Sequence, residues 1–151
     1  MKYSTLGRTG IEVSRVCLGT MTFGRQNTVT AAHRQLDMAI DAGINFFDTA
    51  EMYPFPSTAE TFGDSERFIG LWLKARGNRD KVVITSKITG PAERFDDVRD
   101  GKLKMNAVHI REAVEASLKR LGTDVIDLYL LHWPERATNF FGQLGYVHDQ
   151  D

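Results

Sequence analysis

Three apolar runs in this chain of 151 residues each end on a side chain that can bind or move a proton. Asn45-Phe46-Phe47 leads into Asp48, Val82 through Ser86 leads into Lys87, and Ile126 through Leu131 leads into His132. Tyr53 follows Asp48 by five residues, close enough for a loop to fold it back over the same strand end. A carboxylate, an ammonium, an imidazole and a phenol delivered to one end of successive strands form a proton-transfer set. Each also has a plain structural reading. Asp48 alone is a turn or capping residue, Lys87 a solvated strand end, His132 a hydrogen-bonded histidine before Trp133-Pro134, and Tyr53 a packed loop aromatic before Pro54. Their joint pattern is what favours chemistry.

The elements that must position these residues alternate along the chain. Lys2 to Thr5 and Glu12 to Val13 flank Gly7-Arg8-Thr9-Gly10 and predict a small hairpin. Arg15 to Leu18 is a short strand that stops at Gly19-Thr20. A helix is predicted over 30–42, with Ala32, Leu36, Ala39 and Ile40 on one face, Thr28 or Thr30 as its cap and Gly43 past its end. A second helix, about 64–76, carries a stripe of Phe68, Leu71 and Trp72, and a third, 107–121, follows Asn106 as N-cap and precedes Gly122. Its inner side is Ile110, Val114, Ser117, Leu118 and Leu121. The polar stretch 90–106 reads as a long, solvated connection. Asp64 and Glu66 read as support for a helix start, and Cys17 as a core residue of an inward strand.

This alternation implies α/β architecture with a parallel sheet and right-handed crossovers. A doubly wound sheet calls for a glycine-rich phosphate turn after its first strand, and Gly19-Thr20-Met21-Thr22-Phe23-Gly24 does not supply GxGxxG. A (β/α)8 barrel draws its catalytic residues from the C-terminal ends of several strands, where Asp48, Lys87 and His132 fall. A whole barrel needs about 250 residues and eight strands. The expectation is therefore the N-terminal half of a TIM barrel behind an N-terminal hairpin, about four parallel strands and three helices, with residues 1–151 a partial barrel domain. The open edges of such a half-barrel would favour self-association.

Composition narrows the function classes. A formal net charge of -1 offers no basic field for nucleic acid. No apolar run approaches a membrane span, and Met1 to Thr5 is too short and polar for a signal peptide. A single cysteine excludes an intrachain disulfide and fits a cytoplasmic setting. The spacing of His33, His109, His148 and Cys17 matches no metal motif.

Four segments in order, Leu18 to Gly24, Phe47 to Tyr53, Thr85-Ser86-Lys87 and Leu130 to Pro134, resemble the aldo-keto reductases. So do Arg111-Glu112-Ala113, the run Ser117 to Asp124 and Asp127-Leu128-Tyr129. Glu51 to Pro54 and the tail Trp133 to Arg136 with Asn139 to Tyr146 are similar to the bacterial Tas-like branch. The resemblance implies NADPH-dependent reduction of an aldehyde or ketone, with Asp48, Tyr53, Lys87 and His132 as catalytic tetrad and Tyr53 as general acid. It implies that Lys87, oriented by Asp48, lowers the phenol's pKa from its usual value of about 10. His132 would orient the substrate oxygen, and Trp133, Met21 and Phe23 would wall off water. Gly19, Thr20, Met21 and Asp48 would lie near the nicotinamide ribose, and Tyr53, His132 and Trp133 would meet the carbonyl substrate. In the family most NADPH contacts come from the second half of the barrel. The family also includes binding subunits of channels, so a non-catalytic scaffold or binding module is the alternative reading.

Overall fold

A computed structural model describes residues 1–92, 95, 97–101, 103–136, 138–140 and 144–148. Strands β1 (Tyr3–Thr5) and β2 (Glu12–Ser14) form the expected antiparallel hairpin, with Tyr3 opposite Ser14. Asn45 ties it to the rest of the molecule: its Oδ1 accepts from the Ser14 backbone N–H at 2.7 Å and its Nδ2 donates to the Glu12 carbonyl at 3.1 Å. Strand β3 begins at Cys17 and runs to Gly19, later than the Arg15 start expected. The Arg15 N–H instead donates to the Lys2 carbonyl and belongs to the hairpin's edge.

Strands β3, β4 (Phe46–Asp48), β5 (Val83–Ile88) and β6 (Leu128–Leu131) form one parallel sheet in chain order. Helices α1 (Val29–Asp41), α2 (Asp64–Arg76) and α3 (Ala107–Leu121) are its crossovers. The chain is thus α/β, with three helices on a four-stranded parallel sheet, as in part of a (β/α)8 barrel, plus a hairpin. The sequence signals for helix ends hold. Thr28, not Thr30, caps α1 by accepting from the Ala31 N–H, and Asn106 caps α3 by accepting from the His109 N–H. Gly77 and Gly122 stop α2 and α3 at φ of 60° and 63°, a left-handed conformation that glycine adopts without a Cβ penalty.

The helix-facing side of the sheet holds the larger core. Leu18, Phe47 and Ile84 pack there with Leu36 of α1, Ile69, Trp72 and Leu73 of α2, and Leu121 of α3. Burying each large side chain contributes roughly 1.5–3 kcal/mol. The α2 stripe differs from the one expected. Trp72 is buried but Leu71 is 51% exposed, and the inward face is Ser65, Glu66, Ile69, Gly70, Trp72 and Leu73. A helix wedged between two others and a sheet buries more than one stripe, and polar residues at its first turn find partners inside. Trp72 Nε1 donates to Asp37 Oδ1 at 2.7 Å, beside a two-pronged Arg76 contact to the same carboxylate. Arg76 and then Trp72 hold the Asp37 carboxyl down at about 2. Gly70 is required by close approach: a Cβ there would lie 2.5 Å from the Arg120 carbonyl oxygen.

Candidate active site

Side chains alternate across a strand, so register decides which residues share a face. Phe47 pairs with Ile84, and both enter the helix-side core. Asp48 pairs with Thr85, Thr85 with Leu128, and Lys87 with Leu130, which sends Asp48, Lys87, Leu130 and therefore His132 to the opposite, concave face. The His132 N–H donates to the Ile88 carbonyl, continuing the ladder one step past β6. The loop after β4 brings Tyr53 back over these strand ends.

The four side chains meet. Lys87 Nζ donates to Asp48 Oδ2 at 2.8 Å and to the Thr49 carbonyl at 2.7 Å. The same ammonium lies 4.8 Å from the Tyr53 ring centroid. His132 meets Tyr53 edge to face, with ring centroids 5.6 Å apart. Lys87 is mostly buried while Asp48 stays partly open, with side-chain exposures of 11% and 30%.

Environment sets the protonation states. Burial, then repulsion from Lys87, pushes the His132 imidazole down to about 4, so it is neutral at neutral pH. Burial, then the Asp48 carboxylate, pushes the Tyr53 phenol up to about 12. This reverses the expectation that Lys87 lowers it. Two contacts to Asp48 and Thr49 engage the ammonium, and it lies over the ring in a cation-π arrangement. Tyr53 therefore keeps its proton at neutral pH.

Of the expected cofactor-side residues, Gly19 lies on the open concave face, where a Cβ would meet nothing within 4 Å, and Met21 is 44% exposed. The surface beside Asp48 is therefore open at these two positions. Thr20 differs: it is fully buried, and its hydroxyl donates to the Asp48 carbonyl at 2.9 Å, so its side chain supports the site from behind. Phe23, expected as a wall, packs instead in the helix-side core. Cys17 shares the concave face by register but is exposed, not core. Partial burial among its neighbours, then Asp48, still pushes its thiol up to about 11, because part of its hydration is stripped away while water reaches the rest.

The wall is built on Trp133, as expected, together with residues of the 90–106 stretch that the sequence did not single out. Trp133 is buried, stacked on Phe140 at 5.4 Å and tilted against Phe95 at 5.4 Å. Its Nε1 donates to the Pro91 carbonyl, and its indole lies only 2.5 Å from where a Gly90 Cβ would be. Phe95, Val98 and Leu103 of the 90–106 stretch join Ala50, Met52, Tyr53 and Trp133 in a second apolar cluster. This segment, expected to be a solvated connection, is in large part a packed wall. Arg99, at φ 52°, pairs with the fully buried Glu51 at 3.2 Å and pins the wall to the loop carrying Tyr53. Apolar residues recurring among its charges were the available signal. Phe141, Gly142 and Gln143 of the expected aromatic tail lie outside the described residues.

A profile of the Aldo/keto reductase family matches residues 15–149. The chain belongs to the aldo-keto reductase family.

Protein tas of Escherichia coli (strain K12) is 49% identical over 146 residues, covering 97% of this chain and 42% of that protein. The uncharacterized oxidoreductase YrpG of Bacillus subtilis (strain 168) is 43% identical over 139 residues, covering 91% of this chain and 42% of that protein. The holo form of an aldo-keto reductase from Bacillus halodurans superposes with a TM-score of 0.68 at 35% identity, covering 86% of this chain and 40% of that one. The chain thus spans less than half the length of each of these relatives. Among the described residues, no helix is long and apolar enough to cross a membrane.

Proposed function

We propose that this chain carries the proton-transfer half of an NADPH-dependent reduction of an aldehyde or ketone to an alcohol. The observation that carries the reading is the Lys87 ammonium clamped by Asp48 and Thr49 beneath the ring of Tyr53, with His132 against the same ring. NADPH, when bound, supplies hydride to the carbonyl carbon. Gly19, Met21 and Asp48 are the residues proposed to face it.

The remaining work falls to the chain's own side chains. Tyr53 gives its phenolic proton to the carbonyl oxygen as negative charge develops there, so hydride and proton together convert C=O to CH–OH. A phenol held near 12 gives up that proton at a cost, and the Lys87 ammonium offsets it by attracting phenolate as it forms. Asp48 keeps the ammonium in place. Neutral His132 offers an N–H to the substrate oxygen without adding a second positive charge beside Lys87. Trp133, backed by Phe95 and Phe140, excludes water on one side.

Titration with NADPH, followed by tryptophan quenching, tests the cofactor step. Trp72 is locked in the helix-side core and Trp133 borders the site, so a Trp72→Phe chain isolates the informative signal. Saturable quenching is expected. A folded chain whose Trp133 emission ignores NADPH would remove the cofactor from this reading and leave the scaffold alternative.

A further inference from the structure

The first turn of α2 reaches every part of the proposed tetrad except His132. Ser65 is fully buried, and its hydroxyl sits at a junction. It donates to the Thr20 carbonyl at 2.9 Å and lies 2.7 Å from Thr20 Oγ1 and 2.9 Å from Thr49 Oγ1. Each hydroxyl carries one proton, which restricts the directions. Thr20 spends its proton on the Asp48 carbonyl and Ser65 shares its own between the Thr20 carbonyl and Thr20 Oγ1, so Thr49 donates to Ser65. The result is a directed chain from Thr49 through Ser65 and Thr20 to the Asp48 backbone. Both ends matter, because Lys87 Nζ is held by the Thr49 carbonyl and by the Asp48 carboxylate.

The same turn makes two further attachments. The Ser65 N–H donates to the Tyr53 carbonyl at 3.4 Å. Next to it, fully buried Glu66 accepts from Ser86 Oγ at 2.5 Å, one residue before Lys87, and is balanced by Arg120 Nε at 2.6 Å. A buried carboxylate with both oxygens engaged is rigid, since moving it leaves a charge unpaired.

We propose that Ser65 is a positioning residue for the tetrad, with Glu66 as its anchor: the hydroxyl chain fixes the two groups that grip the Lys87 ammonium. The inference rests on the reductase reading for its consequence in catalysis, but its geometry is testable without turnover. Ser65 touches neither substrate nor cofactor in this scheme and acts only through Asp48, Thr49 and Tyr53.

The test is side-chain NMR of the full 151-residue chain. The Lys87 Cε and Nζ signals are assigned with Lys87→Arg, and the Tyr53 ring signal with Tyr53→Phe. Ser65→Ala and the near-isosteric Thr49→Val are both expected to shift the Lys87 and Tyr53 signals while those of α1 and the hairpin stay in place. Ser65→Thr, which keeps the hydroxyl, restores the Lys87 position. If the chain reduces a carbonyl substrate, both variants lower kcat by on the order of tenfold at nearly constant KM, since a small misplacement at the reacting groups is costly. If the wild-type chain shows no turnover, the reductase reading fails for this chain, and the NMR shifts still decide the positioning role. Variants that melt earlier but leave the Lys87 and Tyr53 signals unmoved would overturn the proposal. Should Ser65→Ala not fold, the Lys87 and Tyr53 signals of Thr49→Val decide between the same two outcomes.

Discussion

The two faces of the parallel sheet solve opposite problems. The convex face, carrying Leu18, Phe47 and Ile84, is sealed by three helices, and even its ion pair is enclosed, with Glu66 fully buried and Arg120 13% exposed. The concave face carries Cys17, Gly19, Asp48, Lys87 and Leu130, and its ion pair stays partly open, with Asp48 at 30%. A sealed pair holds elements in register. An open pair can respond to charge appearing beside it. The contrast shows how one sheet can be sealed on its helix side and open on its inner side, with the α2 first turn joining the two.

The sharpest way to break the comparison is on the concave face. Tyr53→Phe keeps the ring contacts to Lys87 and His132 and removes only the proton, so carbonyl reduction should fall roughly 10³-fold with little change in the NADPH dissociation constant. An activity loss within about twofold would return Tyr53 to the role of a packed loop aromatic. On the convex face, Arg120→Met strips the partner from buried Glu66 and should lower unfolding free energy by about 3 kcal/mol or more in urea denaturation. Gly70→Ala, forced against the Arg120 and Leu121 carbonyl oxygens, should cost about 1–3 kcal/mol by the same measurement.

Gly90→Ala sharpens the contrast at the wall. It displaces the Trp133 indole, so the tryptophan emission maximum and the KM for a bulky carbonyl should both change, with a smaller stability loss than Gly70→Ala. The smallest effect is in pH. The folded His132 sits at about 4 against 6.5 when free, so below pH 6.5 the unfolded chain binds a proton that the folded chain refuses. Stability should decline as pH falls from about 6.5 to about 4, and His132→Gln should flatten that part of the melting-temperature profile. Asp48→Asn should bring the Tyr53 phenol below its value of about 12 in an alkaline absorbance titration, since the carboxylate is the second cause of the rise after burial.

Much of this was legible in the sequence because it is written in local chemistry. Asn106 and Gly122 bound a helix by capping rules that depend on a few neighbouring residues, and the C-terminal end of α2 at Gly77 follows from the same logic. The strand ends at Asp48, Lys87 and His132 follow from apolar runs, and the four side chains gather as their positions suggested. What only the tertiary structure decided depends on partners distant in sequence. Ser65 and Glu66 look like an ordinary helix start until Thr20, Thr49, Ser86 and Arg120 arrive from four other segments. Phe23 and Leu71 depart from the places expected of them because burial is settled by which helix lies alongside, not by spacing alone. The direction of the Tyr53 shift is likewise a tertiary result. The sequence supplied an ammonium that lowers a phenol's pKa, while the fold supplied the burial and the nearby carboxylate that outweigh it. Side-chain chemistry travels with the residue, but dielectric and distance belong to the folded chain.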